Sequence, residues 1–285
     1  MSNVGIDARR ELSGLESSRP ELSAWLRPLR VALGALDTEP WRSIVPVCSP
    51  HRAPDAPLLH EAVVSLASTA AHAHVRDVLR AALLEQHHAA VDAVDSVRLL
   101  ELAVARDAAA VDEMAAAIGV PGDALNAAAQ LAAVPLLIAC ARGTGATRPL
   151  ATWTNRYCHV CGSLPLLAEV LGLERARQLR CGRCGAGWQS HVLLCAFCGE
   201  SDHAKLGSLV PAGAEGQTCW VETCTSCKGY MKTRAGLRGL PAEQVLIEDA
   251  RTLDLDLVAL ERGYVRPEME GFPVRMRIDS RGSIN

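Results

Sequence analysis

The sequence predicts a protein of the α+β class, in which an N-terminal α-helical bundle precedes two zinc-ribbon-like metal modules and a C-terminal helix. Apolar residues recur at helical spacing through the first half of the 285-residue chain. Four Cys-x-x-Cys pairs then follow one another between Cys158 and Cys227, separated by short runs with β character. The length suits one large domain or two ordinary ones.

The first half predicts a helical domain at residues 20–150, preceded by a flexible polar leader at residues 1–19. Apolar spacing predicts helices at residues 20–33, 58–85, 89–118 and 125–140. Four prolines within residues 41–57 predict an extended connector between the first two helices, because proline removes a backbone donor and fixes φ.

The four cysteine pairs predict metal binding. They are Cys158 with Cys161, Cys181 with Cys184, Cys195 with Cys198, and Cys224 with Cys227. The i, i+3 spacing lets two thiolates of one tight turn point at a single ion, and two such turns complete a tetrahedral four-sulfur site. Eight thiolate ligands therefore imply two metal ions in each chain.

Connection lengths decide which pairs share an ion. Nineteen residues separate the first and second pairs, and twenty-five separate the third and fourth, which suits a hairpin between two metal turns. The ten residues between the second and third pairs contain a candidate strand, which would hold those pairs roughly 30 Å apart if extended. We therefore assign pairs one and two to a first module at residues 151–190, and pairs three and four to a second at residues 191–240.

A glycine follows three of the four pairs, and Lys228 follows the last. The turn that carries the second thiolate usually bends through a positive φ, which glycine adopts at little cost. Expected strands lie at residues 164–170, 175–180, 188–194, 205–210, 217–221 and 230–234. Residues 241–285 are expected to form a helix followed by a loose tail.

Disulfides are the alternative use of these cysteines. Closely spaced pairs, an odd total of eleven cysteines and the lack of a secretory pattern favour thiolate ligation in a reducing cytoplasm. A single Cys-x-x-Cys pair can be a redox motif, but four in series rarely are. Arg9-Arg10 is not followed by the apolar stretch of an export signal.

Composition excludes other classes of protein. A net charge of −3 gives no overall attraction to nucleic acid or membrane, and residues 174–238 carry nine Lys or Arg against five Asp or Glu. Residues 125–140 are too short for a membrane span and contain Asn126, Gln130 and Pro135. The chain has no Gly-rich phosphate loop and no hydrolase motif, so we expect no enzymatic activity.

Most of the remaining polar residues and cysteines are expected to have structural roles. Glu85 and His88 form one Glu-x-x-His pair, but a di-iron bundle needs two such pairs and two further glutamates. Cys140 is expected to be a buried apolar residue, and Cys219 a spare thiol near the second metal. Several polar residues flank the metal turns, as ribbon surface or as hydrogen-bond donors to sulfur: Asp202, His203, Glu222, Thr223, Tyr230 and Lys232.

The residues around the pairs resemble the FdhE family of formate dehydrogenase accessory proteins. The resemblance covers residues 150–266. It is carried by Trp153, Cys158-His-Val-Cys161-Gly-Ser-Leu-Pro165, Leu179-Arg-Cys181-Gly-Arg-Cys184-Gly with Trp188, Cys195-Ala-Phe-Cys198-Gly, Glu222-Thr-Cys224-Thr-Ser-Cys227-Lys-Gly-Tyr230-Met-Lys232 and Asp254 to Tyr264. His159, Ala196 and Lys228 depart from the family's usual residues at three turn positions.

The resemblance implies two rubredoxin-like modules whose eight cysteines are iron ligands. It also implies a cytoplasmic, non-enzymatic assembly factor that binds the catalytic subunit of respiratory formate dehydrogenase before twin-arginine export. The alternatives are a rubredoxin-like electron carrier and a zinc-ribbon nucleic-acid-binding protein, of which the acidic net charge disfavours the second. The sequence does not determine whether the metal is iron or zinc, or whether the protein is a monomer or a homodimer.

Overall fold

The chain divides into two compact units. The computed structural model describes residues 4–146, 152–213, 216, 218–267 and 271–280. The first unit comprises Met1–Gly145 together with Pro273–Asn285, and the second comprises Ala146–Phe272. The α+β class is confirmed, because helices dominate the first unit and a sheet dominates the second.

The first unit is a helical bundle around one long central helix. Its helices are α1 (Val4–Ser18), α2 (Ser23–Gly34), α3 (Ser68–Ala82), α4 (His88–Val91), α5 (Ser96–Ala105), α6 (Ala108–Ile118) and α7 (Gly122–Gly143). Helix α7 packs against α2, α3, α5 and α6. Among the described helices, α7 is long and apolar enough to cross a membrane, judged by length and composition alone. However, 72% of its most apolar stretch is buried within the protein.

The expected flexible leader is a helix. Ala8, Leu12 and Leu15 recur at helical spacing in α1 and are buried against α2. The Glu16 carboxylate accepts hydrogen bonds from Ser23 at 2.6 Å and Arg30 at 2.7 Å. Residues 1–19 are mostly polar, so the short apolar stripe of α1 was not recognised from the sequence. The stripe is buried only because α2 packs against it.

The helices expected at residues 58–85 and 89–118 are shorter and interrupted. Helix α3 begins only at Ser68, after a short strand. The second expected helix is divided because Asp95 and Asp107 accept hydrogen bonds from the backbone N–H groups of Arg98 and Ala110, which makes them N-caps. Arg106, in the left-handed region with φ of 60°, ends α5 between them.

A two-stranded parallel sheet completes the first unit. Strand β1 (Val63–Ser65) pairs with the last strand of the chain, Arg277–Asp279. The Ile278 N–H also donates to the Glu101 carboxylate at 2.9 Å. Residues 277–279 of the tail that we expected to be loose are therefore held in a sheet, while residues 268–270 and 281–285 lie outside the described part of the chain.

The second unit contains a six-stranded sheet. Its strands are β2 (Leu167–Leu171), β3 (Ala176–Arg180), β4 (Gly187–Gln189), β5 (Leu206–Leu209), β6 (Cys219–Cys224) and β7 (Tyr230–Gly236), in the order β4-β3-β2-β7-β6-β5. Arg277–Asp279 is accordingly β8. All six expected strands are present, although the third ends at Gln189 and Gln217, at the start of the fifth, lies outside the described residues.

The two expected metal modules share this one sheet. Neighbouring strands are antiparallel except β2 and β7, which pair in parallel from Leu167 beside Lys232 to Leu171 beside Gly236. Strands β2 and β7 each begin just after a cysteine pair, so their parallel pairing brings both metal turns to the same end of the sheet.

Two helices, rather than the expected one, follow the sheet. Helices α8 (Gln244–Arg251) and α9 (Leu253–Glu261) are separated at Thr252, whose φ of −100° and ψ of 27° are not helical. Helix α9 packs on β6 and β7, where Ala259 joins Val221 and Tyr230 in a buried cluster. The predicted segment 241–285 is thus divided, because residues 273–280 belong to the first unit.

His74 is a buried histidine at the contact between α3 and α7. Its Nε2 lies 2.9 Å from the Ala132 carbonyl oxygen, and its ring lies 4.5 Å from that of Trp41, centroid to centroid. Burial lowers the pKa of His74 to about 4, from an ordinary value of 6.5. The folded protein therefore keeps this imidazole neutral across a pH range in which the unfolded chain protonates it.

We expect His74 to make the first unit acid-sensitive. Between pH 6.5 and pH 4 the unfolded state binds more protons, so the stability contribution is complete above pH 6.5 and is lost as the pH falls to 4. His74→Gln removes the titration, and its free energy of unfolding should fall by about 3 kcal/mol less than that of the wild type between pH 7 and pH 4. Urea unfolding followed by far-ultraviolet circular dichroism measures this. Equal losses in the two proteins would contradict the assignment.

Candidate metal centres

The first cysteine cluster joins the first and second pairs. Cys158 Sγ lies 3.4 Å from Cys184 Sγ, and Cys161 Sγ lies 3.4 Å from Cys181 Sγ. All four sulfurs lie within 4.8 Å of one another. Each of the four residues is 0% exposed. The structure therefore brings together the pairs that connection length assigned to the first module.

The second cluster joins the third and fourth pairs, with a more open geometry. The sulfur–sulfur distances are 3.7 Å from Cys195 to Cys227 and 3.7 Å from Cys198 to Cys224. Again all four sulfurs lie within 4.8 Å of one another. Cys195 and Cys224 are buried, whereas Cys198 and Cys227 reach the surface, Cys198 to the greater extent.

Both clusters fit a tetrahedral metal ion. A metal–sulfur bond of about 2.3 Å in a regular tetrahedron places the sulfurs about 3.8 Å apart, close to the observed separations. Four thiolates suit zinc or iron, because soft sulfur ligands in this geometry favour those ions. The donor set can hold two metal ions per chain, one in each cluster.

The backbone at each cysteine pair forms the same tight turn. The N–H of Gly162, Gly185 or Gly199 donates to the carbonyl of the cysteine four residues earlier, at 2.9–3.0 Å. The φ values of these glycines are 73°, 72° and 76°, and that of Lys228 at the fourth turn is 57°. Lys228 therefore adopts the conformation that glycine adopts elsewhere, at a cost of about 1 kcal/mol for a residue with a side chain.

Backbone donors also point at the sulfurs. The N–H groups of Val160, Arg183 and Gly229 lie 3.4 Å from the sulfurs of Cys158, Cys181 and Cys227. Such donors stabilise thiolates and therefore favour metal ligation. They come from the turn itself, which is why the Cys-x-x-Cys spacing supplies both the ligands and their hydrogen bonds.

The buried thiols interact strongly within the first cluster. Burial raises the pKa of Cys158 and of Cys184 well above the ordinary value. Hydrogen bonds from Cys158 and the other thiols lower the pKa of Cys161. Burial therefore opposes ionisation of Cys158 and Cys184, and a bound cation would offset that cost.

A buried carboxylate supports the first cluster from the adjacent strands. Glu169 on β2 is 0% exposed. It accepts hydrogen bonds from Gln178 at 2.7 Å, Arg180 at 2.6 Å, Arg234 at 3.3 Å and the Leu240 N–H at 2.8 Å. Arg180 also donates to the Gly185 carbonyl at 2.8 Å, so this network holds the second metal turn.

A second buried network supports the fourth turn. The Asp256 carboxylate of α9 accepts from Tyr230 at 2.7 Å, Lys232 at 2.6 Å and Arg266 at 2.7 Å. Burial raises the pKa of Tyr230 to about 12, and the hydrogen bond to Asp256 acts in the same direction. Burial opposes ionisation of Asp256, but the charges of Arg266 and Lys232 lower its pKa. Tyr230 lies at the start of β7, so α9 fixes the strand that leaves the fourth pair.

A groove of about 350 Å³ lies on the sheet face beside the second cluster. Arg177 of β3 and Glu222 of β6 form an ion pair at 2.6 Å in its lining. Most of the remaining lining is apolar, including Phe197 and Trp220, and it also includes the ligand candidates Cys195 and Cys224. The exposed Val192 and Leu193 belong to the same lining.

Other sequence candidates have structural roles. Glu222 and Lys232 belong to the ion pairs just described, Tyr230 donates a hydrogen bond to Asp256, and Asp202 caps a short 3₁₀ turn by accepting from the Ala204 N–H. Cys140 is buried in α7, as expected, and burial raises its pKa to about 12. Cys219 contacts Glu248 at 3.9 Å and, among the described residues, belongs to neither four-cysteine cluster.

Sequence reasoning missed Glu169, Arg177, Arg180 and Asp256. The first three are charged residues in strands whose other residues are mostly buried, whereas Asp256 lies in α9, where only Asp256 and Ala259 are buried. A single carboxylate inside the apolar run 166–171 was the available signal, because an unpaired charge is not tolerated in a core. The signal does not identify the partners, since Arg234 lies 65 residues away from Glu169.

The chain is similar to several FdhE proteins. An FdhE homolog of Aquifex aeolicus is 32% identical over 121 residues, which are 41% of each chain. An FdhE homolog of Pseudomonas aeruginosa is 34% identical over 120 residues, and the FdhE protein of Escherichia coli K12 is 27% identical over 120 residues; these cover 40% and 41% of this chain and 38% of either relative. The matched region thus spans about two fifths of the length of these curated relatives. No protein-family model matches the chain.

A solved structure has the same fold. The crystal structure of the FdhE protein from Pseudomonas aeruginosa matches with a TM-score of 0.59 and 21% identity, over 94% of each chain. This similarity extends the agreement in fold beyond the region matched in sequence. Together the comparisons confirm the resemblance to the FdhE family that the cysteine motifs indicate.

Glu169 should be among the most sensitive positions of the second unit. Glu169→Gln keeps the shape but leaves the buried Arg180 without a charged partner and removes one of the two carboxylates beside Arg234, which should cost about 3 kcal/mol of unfolding free energy. Asp92→Asn is the control, because it removes the carboxylate of an exposed pair with Arg80 and should cost less than about 1 kcal/mol. Urea unfolding followed by tryptophan fluorescence compares them. Similar losses in the two variants would show that the Glu169 network is not important for stability.

Proposed function

We propose that this chain is an accessory factor for the maturation of respiratory formate dehydrogenase. In this proposal it acts in the cytoplasm as a non-enzymatic assembly factor and binds the immature catalytic subunit before twin-arginine export. The observation that carries the proposal is the pair of four-cysteine clusters at one end of a single sheet, in a chain similar to FdhE proteins. The clustered free thiols agree with a reducing compartment.

The proposed ligands are the eight clustered cysteines, with one iron ion in each cluster. They are Cys158, Cys161, Cys181, Cys184, Cys195, Cys198, Cys224 and Cys227. A metal ion supplies folding free energy here, because its four ligands come from segments that converge only in the folded chain. The turns, Glu169 and Asp256 then hold the surrounding strands in position.

The groove beside the second cluster supports a binding role. It offers an apolar surface on the sheet face opposite α9, with exposed Val192 and Leu193 in its lining. Exposed apolar side chains around a concave site are typical of surfaces that contact a partner. The metal turn at Cys195 borders this surface, so loss of the second metal would disturb it.

An affinity-capture experiment with the tagged full-length chain tests the proposed partner. Tagged wild-type protein and Cys48→Ser, a control outside both clusters, should retain the catalytic subunit of a co-expressed formate dehydrogenase under anaerobic conditions. The double variant Cys224→Ser with Cys227→Ser removes two proposed ligands, and it should retain about tenfold less. Failure of the wild type to retain the subunit would overturn the proposed partner, and equal retention by the double variant would overturn the role of the metal.

A rubredoxin-like electron carrier is the second candidate, favoured by the partial exposure of the second cluster. Metal analysis and visible absorption after anaerobic purification test the iron assignment and, with it, the electron carrier. We expect about two irons per chain, in line with the two clusters, and bands that bleach with dithionite and return with ferricyanide. Two zinc ions without such bands would contradict the iron assignment and remove the electron carrier from consideration.

A further inference from the structure

The two clusters differ in how well the protein encloses them. All four cysteines of the first cluster are 0% exposed, whereas Cys198 and Cys227 of the second reach the surface. Both clusters have four cysteine ligands, and in every turn the N–H of the first cysteine donates to the carbonyl five residues later. The difference therefore comes from the surrounding chain and not from the ligands.

Three of the four metal turns are covered by other segments of the second unit. The Phe272 N–H donates to the Gly162 carbonyl at 2.8 Å, and Gly271 leaves no room for a Cβ against the same carbonyl. Gly185 has no room for a Cβ because Ala242 packs against it. A Cβ on Gly229, at the fourth turn, would stand 3.0 Å from Pro267. These covers hinder opening of the turns that they contact.

Arg156 donates a hydrogen bond to the Phe197 carbonyl of the third turn, but the side of that turn formed by Cys198 and Gly199 has no such cover among the described residues. A Cβ on Gly199 would meet no atom within 4 Å, and both Gly199 and Cys198 are exposed. The hydrogen-bond partners of the Cys198 sulfur are sulfurs of its own cluster, within the described part of the chain. The Cys195 sulfur of the same turn has backbone donors from Phe197 and Cys198. Cys198 is thus a ligand that combines exposure to solvent with hydrogen bonds to sulfurs of its own cluster.

An incoming molecule can approach the second cluster from two directions. Cys198 faces the surface, and the groove of about 350 Å³ includes Cys195 and Cys224 in its lining. For the first cluster, full burial of all four ligands blocks a comparable approach. Accessible ligand positions of this kind permit associative exchange, in which a new donor binds before an old one leaves.

We propose that the second cluster is a metal site that exchanges its ligands with solution, and that Cys198 is the first ligand to dissociate from the metal. The first cluster is a closed structural site. The chemical class of ligand that the open site takes is a soft thiolate donor, because the metal is already held by sulfur. This inference rests on the proposed function only in requiring that both clusters hold metal.

The exchange step involves no change of oxidation state. A thiolate sulfur of the incoming ligand forms a bond to the metal, and the bond from the metal to Cys198 Sγ breaks with the electron pair remaining on Cys198. Cys195, Cys224 and Cys227 remain bound in this first step, so the fold of the ribbon is retained.

The test uses the full-length protein loaded with zinc and challenged with excess 2,3-dimercaptosuccinate. Native mass spectrometry counts the remaining ions over time, and alkylation of the sampled protein followed by peptide mapping identifies the freed cysteines. We expect one ion to leave at least about tenfold faster than the other, at a rate that rises with dimercaptosuccinate concentration. Alkylation should then label the second cluster, with Cys198 first, while the first cluster stays protected.

Different results would overturn different claims. Failure to load two zinc ions would overturn metal binding by one cluster and, with it, this inference. Two ions released at equal rates, or cysteines of the first cluster labelled first, would overturn the inference alone. Cys198→Ser provides a second test. The ion of the first cluster should still be released at the slow wild-type rate in this variant. Loss of both ions would contradict the independence of the first cluster.

Discussion

The second unit depends on the parallel pairing of β2 and β7 and on the buried carboxylate of Glu169 that neutralises the arginines around it. Arg180 comes from the first ribbon and Arg234 from the second, so one side chain connects the two halves of the sheet. A charge buried this deeply is tolerated because several donors converge on it. The same arrangement places both cysteine clusters at one end of the sheet.

The metal turns and the strands support each other. Each turn is closed by backbone hydrogen bonds that position two sulfurs, but the second turn of each cluster comes from a distant part of the chain. A metal ion would therefore crosslink the two turns of one ribbon, whereas the ion-pair networks of Glu169 and Asp256 act on the strands beside it. Fixed strands in turn fix the groove on the opposite sheet face from α9.

Two sites built from the same motif need not behave alike. Ligand chemistry sets which ions bind, but the enclosure of the site sets how readily an ion leaves. Here the segments around Ala242 and Phe272 enclose the first cluster, and no described residue contacts the corresponding position at Gly199. One chain can thus combine a permanent structural ion with one that is open to exchange, without any change in the cysteine spacing.

The sequence by itself determined the class of fold, all six strands of the sheet and the grouping of the cysteine pairs, because those properties follow from local spacing and connection length. Helix ends were predicted less well, since single caps such as Asp95 and Asp107 divide a continuous apolar pattern. Only the tertiary structure decided that α1 packs as a helix, that the two ribbons form one sheet, and that residues 277–279 return to the first unit. The difference in exposure between the clusters was also decided there. Each of these features depends on contacts between residues far apart in the chain, which periodicity and spacing do not record.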